Sequence, residues 1–277
     1  MSDQRTHSAT TGDGVTIVGT VHGQGRPLVF LQGMIGDGDT DWGPLVGHLA
    51  GRFTCYLPSL RGRGLSGDHE DLGPGRLVED VLTYVGSIGE PTGLVGWSYG
   101  AYQALSAAAR SDRVEAVACL EPGMMSLMDE REQAVLGAAV GKMAELAADG
   151  SLADAARAFA GWPFSDEEIA VADRAGYFEA SGRYVPNLLS LLQQSAEYKG
   201  PTPEDPAVLG AISVPVAVLH GARTSPFLIA SARYVAEHVP DARVRELPDA
   251  GHASLLTHPE ALAAALSDFF TQAHRTA

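Results

Sequence analysis

Ser98 is the residue whose surroundings most clearly prescribe chemistry. It lies in Gly96-Trp97-Ser98-Tyr99-Gly100, a G-x-S-x-G pattern. The apolar run TGLVGW before it reads as a strand, and SYGAYQALSAAAR after it reads as a helix. A sharp strand-to-helix turn holds such a serine in a strained backbone conformation with its hydroxyl clear of the sheet. The flanking glycines are needed because side chains there would collide with neighbouring backbone. The following helix offers N–H groups and a positive dipole end to a developing oxyanion. A serine presented in this way suits nucleophilic attack on a carbonyl, followed by a covalent intermediate. With 32 glycines in the chain the pentapeptide alone could arise by chance; the strand before it and the helix after it set it apart.

The elements that must position this serine follow an alternating rhythm. GVTIVGTV (14–21) reads as an edge strand, RPLVFLQG (26–33) as a buried strand, and FTCYLPSL (53–60) as another that Pro58 ends. Leu77, Val81, Leu82 and Val85 have helical spacing, and VEAVACLE forms a strand after the serine helix. Short apolar runs alternating with helices imply an α/β fold with a mostly parallel sheet and helices on both faces. The rhythm breaks after Pro122. From Met124 to about Tyr198 only helical segments are legible, among them SDEEIAVADRAGYFEASG, whose Asp166, Glu167 and Glu168 read as a solvated helix start. KGPTPEDPAVLG reads as a connector, after which VPVAVLHG, ARVRELP and a last helix resume the sheet pattern. The expected division is a first part of an α/β core over 1–123, a helical cap over 124–205 and the second part of the core over 206–277.

The chain resembles the α/β-hydrolase fold superfamily across nearly its whole length. The resemblance rests on the serine turn at Ser98, the strand and turn near Gln32-Gly33, the RGRGLSG turn at 61–67, the helical insertion and a late histidine. It implies that a loop after the last strand carries the catalytic base. Of nine histidines, His252 in LPDAGHASLLTHPE has the right chain order and a glycine-flanked loop; His258 before Pro259 reads as a cap, and His220 ends a core strand. It also implies an oxyanion hole made by the backbone N–H groups of Tyr99 and Met34. That second loop usually starts His-Gly in the family, whereas here it starts Gln32-Gly33. The Gln32 amide either replaces the histidine's structural hydrogen bonds or touches substrate.

The resemblance further implies an acid three residues after the glycine that ends VPVAVLHG. That position is Thr224, and no carboxylate lies between Asp205 and Glu237. Glu121 closes the apolar run VACL at the end of the strand after the serine helix, where a part-buried charge needs a partner. Some members of the fold carry their acid at this strand end. The expected set is therefore nucleophile Ser98, base His252 and acid Glu121, although a simple charge in a strand-to-cap turn is the plainer reading of Glu121.

A serine at the turn favours cleavage of an ester or lactone of a small or medium apolar compound. Gln32, Trp97, Met124, Met125 and Trp162 are candidate pocket residues. Packing of the cap on the sheet is the plainer role for the methionines and Trp162. A non-hydrolytic enzyme of this fold, such as a lyase or cofactor-free oxygenase, and a binding protein that lost catalysis both stay open. No metal cluster or phosphate loop is legible and no cofactor is expected.

Composition narrows the setting. The chain has 277 residues, a hydrophobic fraction of 45% and a net charge of −15, which argues against nucleic acid or an anionic membrane surface as partner. No apolar run is long enough for a membrane span. MSDQRTHSATTGDG is polar and lacks the apolar core of a signal peptide, so a cytoplasmic protein with a small-molecule substrate is expected. Cys55 and Cys119 read as buried free thiols. The oligomeric state is left open, a homodimer being one option.

Overall fold

In a computed structural model, which describes residues 5–276, the chain forms one eight-stranded sheet. The strands are β1 (Thr6–Thr10), β2 (Thr16–Gly23), β3 (Arg26–Leu31), β4 (Phe53–Pro58), β5 (Thr92–Trp97), β6 (Val114–Leu120), β7 (Val216–Gly221) and β8 (Ala242–Leu247). Their order is β1-β2-β4-β3-β5-β6-β7-β8. The pairs from β4 to β8 run parallel, and β2 is antiparallel to both β1 and β4. The sequence segment 14–21 was expected at the edge. Instead β1 covers it, built from the polar stretch THSAT whose composition hides a strand that packs on one side only.

The helices that cross between strands are α1 (Gly38–Val46), α2 (Pro74–Ile88) and α3 (Tyr99–Ala108). Five more follow β6 without an intervening strand: α4 (Glu130–Ala148), α5 (Leu152–Ala160), α6 (Asp166–Arg174), α7 (Tyr177–Ser181) and α8 (Val185–Glu197). The chain returns through α9 (Pro206–Gly210), and α10 (Pro226–His238), α11 (Ser254–Thr257) and α12 (Pro259–Thr276) complete it. The stretch 165–182 reads as one helix in sequence but is two. Gly176 adopts a left-handed conformation between α6 and α7 and turns the chain there.

Alternation along the central strands sorts their side chains to two faces. Leu28, Phe30, Val95, Ala116 and Ala118 pack into one core cluster, with α1, α12 and the inserted helices. Val29, Leu31, Leu94, Val117 and Val218 pack into the other, with α2, α3 and α10. Because both faces are covered, β5 and β7 are buried along their length and β6 at all but Glu115, as their near-continuous apolar runs require. Cys55 and Cys119 are free and buried, one in each cluster.

Candidate active site

The register of the parallel strands delivers the site. Trp97 pairs with Leu120, and Leu120 with Leu219, so β5 and β6 end level with each other and β7 runs two residues further, to Gly221. The next residue on β5 is Ser98 and on β6 is Glu121; their N–H groups donate to Leu120 O and Leu219 O, each at 2.9 Å. Crevices at such carboxyl ends of strands are where open α/β sheets bind ligands.

Ser98 has φ 54° and ψ −114°, a conformation that side chains rarely adopt. The glycines around it are dictated by close approach. A Cβ at Gly96 would lie 2.2 Å from Gly100 O, and a Cβ at Gly100 would lie 2.1 Å from Leu31 O. The strained turn lifts the Ser98 side chain into a cavity of about 440 Å³, which His252 also lines. Ser98 stands at the start of α3, where N–H groups have no intrahelical acceptor.

Glu121 is fully buried and its backbone is left-handed, φ 49°. Its carboxylate accepts three hydrogen bonds. Gly221 N donates to Oε1 at 2.7 Å, Thr224 Oγ1 donates to Oε2 at 2.8 Å, and His252 Nδ1 meets Oε2 at 2.6 Å. A buried carboxylate is tolerable only when satisfied in this way. The contact at Nδ1 fixes the imidazole orientation and leaves its other nitrogen as the one that can exchange a proton. His252 is 3% exposed; Trp97 Nε1 donates to its carbonyl at 2.9 Å, and the Trp97 and Phe164 rings flank the imidazole.

The loop after β3 is pinned from several sides. Gly33 N donates to Asp41 Oδ2 at 2.8 Å, and Arg63 donates to Met34 O at 2.5 Å and Gly36 O at 2.9 Å. Asp41 and Arg63 are buried, and burial pushes the Asp41 carboxyl up to about 7 and the Arg63 guanidinium down to about 10. The inserted helices share in this clamp. Tyr177 donates to Asp41, Tyr184 to Asp37, and Arg63 to Asn187 Oδ1 at 2.8 Å.

Several sequence expectations need correction. Gln32 does not reach the cavity. It is buried, donates to Gly36 O at 2.5 Å and accepts from Leu60 N at 2.9 Å, so its amide ties the β3 loop to the β4 loop. Met124 is also fully buried, packed in the core cluster beneath α10, and does not line the cavity. Trp97 stands behind His252 and borders only a small recess beside Ser98. Met34, Tyr99, Met125 and Trp162 do line the cavity, together with Phe159 and Leu228.

Glu168 is the largest departure from expectation. Its helix start is a true capping box with Ser165, but the residue is buried rather than solvated. Oε2 accepts from Ser165 N at 2.9 Å while Oε1 accepts from Ala253 N at 2.7 Å. An inserted helix thus holds the peptide that follows His252. Among the described residues no group of three or more His, Cys, Asp or Glu side chains is placed to hold a metal ion, and no helix is long and apolar enough to cross a membrane.

A mostly parallel sheet with a strained serine at a strand-to-helix turn, facing a histidine loop under inserted helices, defines the class of nucleophile-turn α/β proteins. The chain belongs to the alpha/beta hydrolase family, whose pattern it matches over residues 21–265. Pimeloyl-[acyl-carrier protein] methyl ester esterase of Stenotrophomonas maltophilia is 30% identical to it over 259 residues, covering 90% of this chain and 94% of that one. The protein of the same name from Chromobacterium violaceum is 29% identical over 256 residues, covering 89% and 94%. The enol-lactonase of Burkholderia xenovorans shares the fold, with a TM-score of 0.72 and 22% identity over 96% of this chain and all of that one.

Proposed function

We propose that the protein is a serine hydrolase that cleaves a carboxylic ester of a neutral, largely apolar compound through an acyl-enzyme. The observation that carries this reading is the 2.6 Å contact of His252 Nδ1 with the buried Glu121 carboxylate, in a loop that shares one cavity with the strained Ser98. The relatives named as methyl ester esterases support an ester as the bond cleaved.

In this reading Ser98 Oγ attacks the carbonyl carbon while His252 Nε2 takes the hydroxyl proton. Glu121 holds the imidazole in the required tautomer and stabilises the imidazolium that forms. The oxyanion accepts hydrogen bonds from the N–H groups of Tyr99 and Met34, and the pinned loop at Met34 means that little reorganises as charge develops. Collapse expels the alcohol, which receives its proton from His252. Water, deprotonated by the same nitrogen, then releases the acid and restores Ser98. The inserted helices over 124–205 serve as a cap that roofs the cavity, with Met125 and Trp162 contributing to its apolar wall.

The test is turnover of a panel of p-nitrophenyl, methyl and lactone substrates, with intact-mass detection of a fluorophosphonate adduct. Hydrolysis and labelling are both expected, and both are lost in Ser98→Ala. Labelling without hydrolysis of any ester would instead favour a non-hydrolytic enzyme on the same site. Neither labelling nor turnover would favour a binding protein.

A further inference from the structure

A second hollow lies against the cavity beside Ser98. It is a cleft of about 830 Å³, lined by Val78 and Pro74 of α2, Tyr102 of α3, Tyr198 after α8, and Ala207 and Ala211 at either end of α9. Three of its residues, Pro74, Tyr102 and Tyr198, also line the inner cavity, so the two spaces share one wall.

The inner cavity itself has two kinds of lining. Leu136, Trp162 and Leu228 pack together with Phe159 beside Trp162, and these supply an apolar lobe. Toward the shared wall the lining turns polar. The Tyr99 ring stacks on Tyr102 with centroids 5.6 Å apart, and Ser195, Thr202 and Glu204 stand in the same lining. The hydroxyls of Tyr99 and Ser195 are buried beside each other, in poor hydrogen-bonding geometry. A buried hydroxyl pair in poor geometry is costly, and a polar ligand atom offers Ser195 a better partner when its hydroxyl turns toward the cavity.

The charges lining the outer cleft are largely matched. Arg76 meets Asp71 at 3.4 Å, and Arg110 pairs with Glu79. The inner cavity contains one carboxylate, Glu204, and no Lys or Arg. An anionic group would therefore find no counter-charge on the way through.

We propose that the outer cleft is the distal half of a single substrate site, taking the long, neutral, ether- or amide-bearing arm of an ester whose carbonyl lies at Ser98. The arm leaves past Tyr102 and Tyr198, and one of its polar atoms bonds the Ser195 hydroxyl, turned from Tyr99 toward the cavity. This deepens the esterase reading and rests on it for the position of the carbonyl, but the binding it describes can be read without turnover.

Two experiments test it. In the first, kcat/KM is compared for p-nitrophenyl butyrate, p-nitrophenyl dodecanoate and a p-nitrophenyl ester of an oligoether acid of the dodecanoate's length, with oligoether butyrate added to place the arm on the alcohol side. Ala207→Trp and Ala211→Trp project bulk into the outer cleft from exposed positions. Each is expected to lower the ratio of kcat/KM for a long oligoether ester to that for butyrate at least tenfold. Ser195→Ala is expected to lower the preference for the oligoether arm over the dodecanoyl arm several-fold. In the second, the oligoether arm is presented on an amide that is not cleaved and titrated calorimetrically into the Ser98→Ala protein with and without Ala207→Trp; a loss of affinity of at least tenfold is expected. Equal ratios in parent and tryptophan variants, together with equal amide affinity, would overturn the subsite whatever the fate of the esterase reading. Absence of ester turnover with an intact, Ala207-sensitive amide affinity would overturn the esterase reading and leave the subsite standing.

Discussion

Thr224 donates to Glu121 Oε2 at 2.8 Å, and that same oxygen meets His252 Nδ1 at 2.6 Å. The residue at the place where the resembled fold usually has its acid therefore donates to the carboxylate we propose as the acid. Gly221 N completes the arrangement on the other oxygen. Glu121 follows β6, yet the end of β7 and the loop after it surround its carboxylate with donors.

Removing that donor should weaken Glu121 without removing its charge. A hydrogen bond to a charged group contributes about 1.5–3 kcal/mol, and part of this is felt only as the imidazolium forms. Thr224→Val is expected to lower kcat about tenfold, corresponding to roughly 1.4 kcal/mol of barrier, with KM nearly unchanged. Steady-state kinetics on one ester checks this; a rise in KM alone would show that Thr224 acts on substrate and not on Glu121.

Glu168 should act on the reaction from the inserted helices. Glu168→Ala leaves the buried Ala253 N–H unpaired, at a cost of about 1–3 kcal/mol in stability. It also frees the peptide next to His252, so kcat is expected to fall about tenfold or more while KM holds. Glu168→Gln keeps an acceptor and should recover part of the rate. Urea unfolding with kinetics on the three proteins separates the two effects, and a variant that loses stability but keeps kcat would confine Glu168 to a structural role.

The RGRGLSG turn has a buried cation at its start. Arg61 donates to both oxygens of Asp80, at 2.7 and 2.5 Å, and to Asp13 at 2.9 Å. Asp80 is buried and would be stranded without it. Arg61→Met is expected to destabilise the fold by about 3–5 kcal/mol, read from urea unfolding midpoints.

Asp41 gives a pH signature. Burial raises its folded pKa to about 7, above its unfolded value. Between roughly pH 4 and 7 the folded chain holds a proton that the unfolded chain has released. Stability contributed by this group therefore falls as pH rises through that window and is level above it. Asp41→Asn should remove this component, so the stability difference between variant and parent changes between pH 5 and pH 7.5 in favour of the variant at the higher pH. An identical difference at both values would show that Asp41 titrates normally.

Much of this was legible in the sequence because it is written in local patterns. The alternation of strands and helices, the glycines around Ser98 and the late histidine each depend on neighbours a few residues away. The pairing of Glu121 with His252 could be expected from the resemblance, because the loop after β7, where the resembled fold usually has its acid, holds no carboxylate. Glu168 was not, because its capping box looks the same whether its second oxygen faces water or Ala253, 85 residues on. Arg63, Asp41 and Tyr177 were hidden for the same reason: they come from the β4 loop, α1 and an inserted helix, and only the folded chain brings these together around the β3 loop. Gln32 and Met124 sit next to the site in sequence but turn inward, and a residue's place in a loop does not reveal which way it faces.

The central claim is that Glu121 is the acid that makes His252 a base for Ser98. The most direct test is kcat of Glu121→Gln on a short p-nitrophenyl ester, with folding verified by its unfolding midpoint. A fall of about 10⁴, as when the orienting acid of a serine protease is neutralised, is the expected result. Turnover near that of the parent protein would contradict the account.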